Sequence, residues 1–220
     1  FRFYQISKMP DGLLPDEAAN GLDINLMQQG QLQPFYERGN GREALFFYML
    51  WGSVEAFGKG PWQHHIVSAL IGVLSVLVCF LATKRLFSLE VDVVDEPNRT
   101  GDINIRATNL ALLASFLMAV SSWYTVLSRT AFRANLIPLF AGLTFYFLLC
   151  VYQSKDRKRY LFSILTGAVF ALGFYTYIAY RVLVPIIAVL IIWPWLANGF
   201  LGQIKKYWKQ FLLFTISVFI

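Results

Sequence analysis

Asp16 and Glu17 stand side by side after Pro15, in a chain of which 57% of the residues are hydrophobic. An acid pair in such a setting faces water, starts a helix or does chemistry. As chemistry, a carboxylate poised over a membrane can take a proton from a hydroxyl or bind a metal. As structure, first-turn acids favour a helix start, because the macrodipole stabilises anions there. The two readings are compatible for one member of the pair.

Arg129, Arg133 and Arg181 each border an apolar stretch. The planar guanidinium fork bonds two phosphate oxygens at once. Arginine at a span end also anchors the chain in the headgroup layer. On residue type alone both roles stand. His64 and His65 open a long apolar stretch. With Asp16, Glu17 or Glu43 they could hold a divalent metal; interfacial packing is the simpler reading. Trp62, Trp123, Tyr124, Tyr175 and Tyr177 fit an aromatic belt, and some could stack on a sugar. Cys79 and Cys150 lie inside apolar runs with no metal spacing and read as small hydrophobes.

These residues need elements to position them. The chain has 220 residues, 15% of them charged and 17% aromatic, a membrane-protein composition. It shows no initiator Met and no signal peptide, and it ends in an apolar run too short to span; it reads as an internal piece of a larger membrane protein. Apolar stretches predict spans near 62–87, 107–126, 135–152, 160–178 and 182–197, and a truncated span from 210. A polar loop, "SLEVDVVDEPNRTGDINIRA", follows the first; Asp92, Asp95, Glu96 and Asp102 in it read as solvated surface. "QSKDRKRY" and "NGFLGQIKKYWKQ" read as basic turns.

The Lys and Arg bias orients the spans. Lys84, Arg85, Arg99, Arg106, Lys155, Arg157, Lys158, Arg159, Lys205, Lys206 and Lys209 fall on one side, read as cytoplasmic. Residues 1–61 and the turns with Arg129, Arg133, Tyr177 and Arg181 fall on the other. The net charge of +6 therefore reflects helix ends and not nucleic-acid binding. Residues 1–61 form an outer loop with two interfacial helices. "PDEAANGLDINLMQQG" is the first, with Pro15 at its entry, Ala18, Leu22 and Leu26 on one face, and Gly30 as its stop. "QLQPFYERGNGR" reads as loop. "REALFFYMLWGSVEAFG" is the second helix, lying along the membrane surface.

The residues in this order carry a resemblance. A Pro-Asp-Glu helix on the outer side, "GREALFFYML", a break, a span beginning "HHIVSALIGVLSV", a basic loop opening "SR" and then "YTYIAYR" together resemble the protein O-mannosyltransferase-like (dolichyl-phosphate-mannose-protein mannosyltransferase-like) family. That family belongs to the C superfamily of membrane glycosyltransferases. The resemblance covers nearly the whole chain and implies an all-α polytopic membrane protein, a glycosyltransferase C-type helical bundle with surface helices on an outer loop. It implies transfer of a sugar, with inversion, from a polyprenyl-phosphate donor to a protein, lipid or glycan acceptor. Asp16 would be the general base and Glu17 would assist by orientation or metal contact. Arg129 and Arg181 would hold the lipid phosphate, with Arg133, Tyr177, Arg42 and Glu43 completing the substrate site. The expected setting is an integral, multi-pass protein of the plasma or inner membrane, its active face extracytoplasmic. Relatives often carry an arginine where this chain has His64 and His65, and a proline near Glu43 and Ala44. The rival readings are a transporter or flippase for a polyprenyl-linked substrate, and a non-catalytic membrane subunit. A transporter places charge at mid-span; here the spans carry little and the acids sit in a loop.

Overall fold

A computed structural model describes residues 1–9, 11–38, 42–89, 97–197 and 200–219. The described residues are all-α apart from one short hairpin. Helix α1 (Pro15–Gln28) starts with Pro15 at its first position, and the Glu17 side chain reaches back to accept the Leu14 N–H at 2.8 Å. It ends at Gly30, whose φ of +87° is open to glycine at little cost. The Gly30 N–H donates to Met27 O and the Gln31 N–H to Leu26 O, which satisfies the last carbonyls.

The face that α1 turns inward is not the apolar one. Glu17, Asn20, Asp23, Ile24 and Met27 are buried, while Ala18 and Leu22 are exposed. The polar groups can go inside because each meets a partner, described below. Strand β1 (Phe35–Tyr36) lies in the stretch read as loop, and β2 (Arg42–Glu43) takes the first residues read as the second helix; the two are antiparallel, with Tyr36 opposite Arg42. Helix α2 (Leu45–Phe57) buries Phe46, Phe47, Leu50 and Val54 and leaves Met49 and Phe57 exposed. It packs on α1 and on α3 (Pro61–Phe87).

Helix α4 (Pro97–Val120) starts ten residues before the predicted 107. It stops at Ser121, whose hydroxyl faces the Tyr124 N–H at the start of a separate short helix, α5 (Ser122–Arg129). The stretch 107–126 is thus two helices. Of the acids read as inner-loop surface, Asp92, Asp95 and Glu96 lie outside the described residues, and Asp102 is exposed in α4. A 3-10 turn (Arg133–Asn135) leads into α6 (Leu136–Gln153). Helix α7 (Asp156–Gly173) takes in the basic residues read as a turn, and a 3-10 segment (Ile178–Val182) precedes α8 (Leu183–Ala197). Helix α9 (Phe200–Phe219) carries Lys205, Lys206 and Lys209 of the second basic stretch.

Among the described residues, three helical stretches are long and apolar enough to cross a membrane: Pro61–Phe87, Gly101–Val120 and Arg133–Gln153. One buried cluster joins α1, α2, α3 and α6 through Met27, Phe46, Leu50, Ile71 and Leu136. A second joins α6 to α7, α8 and α9 around Tyr180. Tyr180 is fully buried, and its hydroxyl lies 3.1 Å from Thr144 Oγ1. Its ring lies against Gly173, where any Cβ would overlap it. Helix α7 ends at this glycine, short of the predicted 178. Gly173→Ala should therefore cost about 1–3 kcal/mol by overpacking. Thermal unfolding in detergent micelles measures this, and an unchanged midpoint would mean that the tyrosine readily moves aside.

Candidate functional site

The helix ends sort into two groups by contact. At one end, Glu17 meets Ala131, the Leu45 N–H donates to Tyr175 O at 3.2 Å, and Asn135 Nδ2 donates to Ser68 O at 2.8 Å. At the other, Gln153 Nε2 donates to Arg85 O at 3.0 Å. Four of the sequence-predicted residues converge at the first end. Asp16, Arg42, Arg133 and Tyr177, with Asn20, Ala131 and Phe132, line a cavity of about 150 Å³.

Each wall has a local cause. Asp16 projects from the first turn of α1 with its side chain 73% exposed. Asn20 stands one turn on, on the same face. Its Oδ1 accepts from Arg42 Nη1 at 3.1 Å, and its Nδ2 donates to Ala131 O at 3.0 Å. Arg42, on β2, is largely buried. Its guanidinium stands 3.9 Å from an oxygen of Asp16 and 3.9 Å from one of Asp23, beyond hydrogen-bonding distance of both. Asp23 is held by Arg38 instead, Nε to Oδ1 at 2.9 Å. The cavity thus has a buried arginine flanked by two carboxylates at 3.9 Å, neither of them hydrogen-bonded to it.

Arg133 is more fully engaged. Its Nη1 donates to Glu43 Oε2 at 3.0 Å, and its guanidinium lies 5.7 Å from the Phe47 ring centre and 5.5 Å from that of Tyr177. The two rings flank the guanidinium in a cation–π arrangement. Phe132 packs on Tyr177 at 6.2 Å.

Glu17 lies behind this wall, with 1% of its side chain exposed. One carboxylate oxygen accepts the Ala131 N–H; the other accepts the Leu14 N–H and lies 3.5 Å from His65 Nε2. Burial pushes its pKa up, but the hydrogen bonds from His65 and the two N–H groups outweigh burial and hold it below the usual carboxylate value. This carboxylate is a joint between α1, α3 and the turn that carries Arg133.

The other predicted residues lie elsewhere. Arg129 donates to the carbonyls of Phe1, Tyr4 and Met9 at 2.6, 2.8 and 2.7 Å, tying the first turns of the chain to α5. Arg181 is exposed and has no hydrogen bond or ion pair with a described residue. His64 Nδ1 donates to Gly60 O at 3.0 Å, inside the first turn of α3. Among the described residues no three His, Cys, Asp or Glu side chains form a metal-binding group; Glu17 and His65 offer two ligands at most. Sequence reasoning missed Asn20, although its spacing of four from Asp16 places both on one helix face. It also missed Phe47, for which no local signal exists.

The fold and site define an all-α chain with helices able to cross a membrane, and a carboxylate and two arginines around one cavity at an end of the bundle. A scan against protein-family models, a search of curated proteins and a search of solved structures find no match to the chain.

Proposed function

We propose that the chain is a membrane glycosyltransferase that moves a sugar from a polyprenyl-phosphate donor to an acceptor hydroxyl on a protein, lipid or glycan. The observation that carries this reading is the convergence of Asp16, Arg42, Arg133 and Tyr177 on one cavity where the Arg133–Gln153 helical stretch begins. A sugar-phosphate bond is already activated, so the enzyme needs a base and a cationic site for the leaving phosphate. Asp16 takes the acceptor's hydroxyl proton. The acceptor oxygen attacks the anomeric carbon, the bond from that carbon to the phosphate oxygen breaks, and the electron pair leaves with polyprenyl phosphate. Attack and departure on opposite sides give inversion. Arg42, which hydrogen-bonds neither of its two carboxylate neighbours, is the first phosphate ligand, and Arg133 the second. Tyr177 offers a ring for the sugar.

The cavity opens at the end opposite Lys84, Arg85, Arg157 and Lys158, so the positive-inside bias supports an extracytoplasmic active face of a multi-pass protein. Impermeant thiol labelling in intact cells should modify Glu37→Cys and leave Lys158→Cys unmodified; the reverse pattern overturns the orientation. The activity is tested by mass spectrometry of glycoconjugates from cells with and without the full-length protein. Loss of one glycan with accumulation of its polyprenyl-phosphate sugar is the expected result. An unchanged profile favours a non-catalytic subunit. Accumulation of the lipid-linked sugar on the cytoplasmic face alone favours a flippase.

A further inference from the structure

A second cavity lies at the opposite, basic end of the bundle. It measures about 520 Å³, and its polar lining comes from Lys84, Arg85, Ser88, Asn104, Tyr146 and Gln153. We infer that it binds the net-anionic phosphate headgroup of a membrane lipid, a site that neither needs nor implies the transfer reaction. Among the described residues no carboxylate pairs with Lys84 or Arg85. Arg85 Nε is buried and has no hydrogen-bond partner among the described residues. A buried cation with an unmatched donor is costly, and an anion seated in the cavity beside it offsets part of that cost through its charge. Gln153 Nε2 holds Arg85 O at 3.0 Å and so fixes the end of α3 that carries both cations.

The same geometry selects an amphiphile over a free anion. Leu70, Leu74, Leu77, Leu81 and Lys84 follow one another at spacings of four and three along α3, a single helix stripe. Leu70, Leu74 and Leu77 are about half exposed, and Leu81 and Lys84 line the cavity. An acyl chain can lie along the stripe while its phosphate reaches the two cations. Basic pockets between helices at the cytoplasmic end suit such headgroups. The alternative is that Lys84 and Arg85 only complement the carbonyl end of α3.

The test titrates the full-length protein, in neutral detergent micelles, with dioleoyl phosphatidylglycerol and with phosphatidylcholine, and reads bound lipid by native mass spectrometry. Phosphatidylglycerol should bind in preference, and Lys84→Gln with Arg85→Gln should weaken it about thirty-fold, roughly fivefold per cation. Arg157→Gln with Lys158→Gln, exposed charges outside the cavity, should leave binding unchanged. Arg85→Lys keeps the charge and guards against misfolding; it should bind in between. If free glycerol phosphate competes fully, the phosphate site stands but its ligand is soluble. Equal binding of both lipids, or equal loss in the two double variants, overturns the inference.

Discussion

Asp16→Asn should lower sugar transfer by about 10² to 10⁴ while the protein inserts, folds and binds donor as before, because a positioned base contributes that much to rate. The substitution is nearly isosteric. Asparagine keeps an oxygen towards Arg42, which stands 3.9 Å away. The Asp16 side chain makes no hydrogen bond with a described residue and is 73% exposed, so stability should hardly change. The discriminating measurement pairs initial rates with donor affinity and the unfolding midpoint in one set of micelles. If transfer persists at the unmutated rate, Asp16 is not the base. If transfer and the unfolding midpoint fall together, the residue supports the fold instead.

Glu17→Ala should do the opposite. It removes the acceptor for the N–H groups of Leu14 and Ala131 and the partner of His65. Each buried donor left alone costs about 1–3 kcal/mol, so the loss rivals the total stability of many domains. Glu17→Gln keeps one acceptor oxygen and should cost less. The charge also sets a pH dependence. The folded-state pKa of Glu17 lies below its usual value of 4.5, so its contribution is complete above that value and is lost as pH falls through the lower one. Unfolding midpoints measured from neutral to acid pH should decline less steeply in Glu17→Gln than in the parent. Parallel curves would remove Glu17 from the account of acid stability.

These two predictions separate neighbours in sequence, and that separation was not legible there. The start of α1 at Pro15 and its end at Gly30 could be read directly, because proline and glycine act through local backbone geometry. The break between α2 and α3 and the apolar core of α3 were equally local. What could not be read is which side of α1 faces in. Ala18, Leu22 and Leu26 argued for one face, yet Glu17, Asn20 and Asp23 occupy the buried one. Their partners, Ala131, His65, Arg38 and Arg42, lie up to 114 residues away, and no periodicity in α1 announces them. The same distance hid Arg129, whose acceptors are carbonyls near Phe1. Charge marks a membrane edge, and the chain does turn at Ser154 and Lys155, but most of the basic residues sit on the first turns of α7 and within α9. The pairing of Arg42 and Arg133 across one cavity joins a hairpin strand to a 3-10 turn, and only the folded chain brings them together.

Ala131 is fastened twice, its N–H to Glu17 and its carbonyl to Asn20. The wall bearing Asp16 and the wall bearing Arg133 therefore move as one piece. Tyr177 belongs to the stretch after α7, which is tied to α2 through the Leu45 N–H on Tyr175 O and otherwise meets the cavity through aromatic contacts. Mechanically the cavity has one welded corner, where α1 and the Arg133 turn meet at Ala131, and a third wall held separately, with Tyr177 between the buried Thr176 and Tyr180. A crosslink between α1 and the Arg133 turn should therefore be tolerated, because it repeats a fastening that the fold already has.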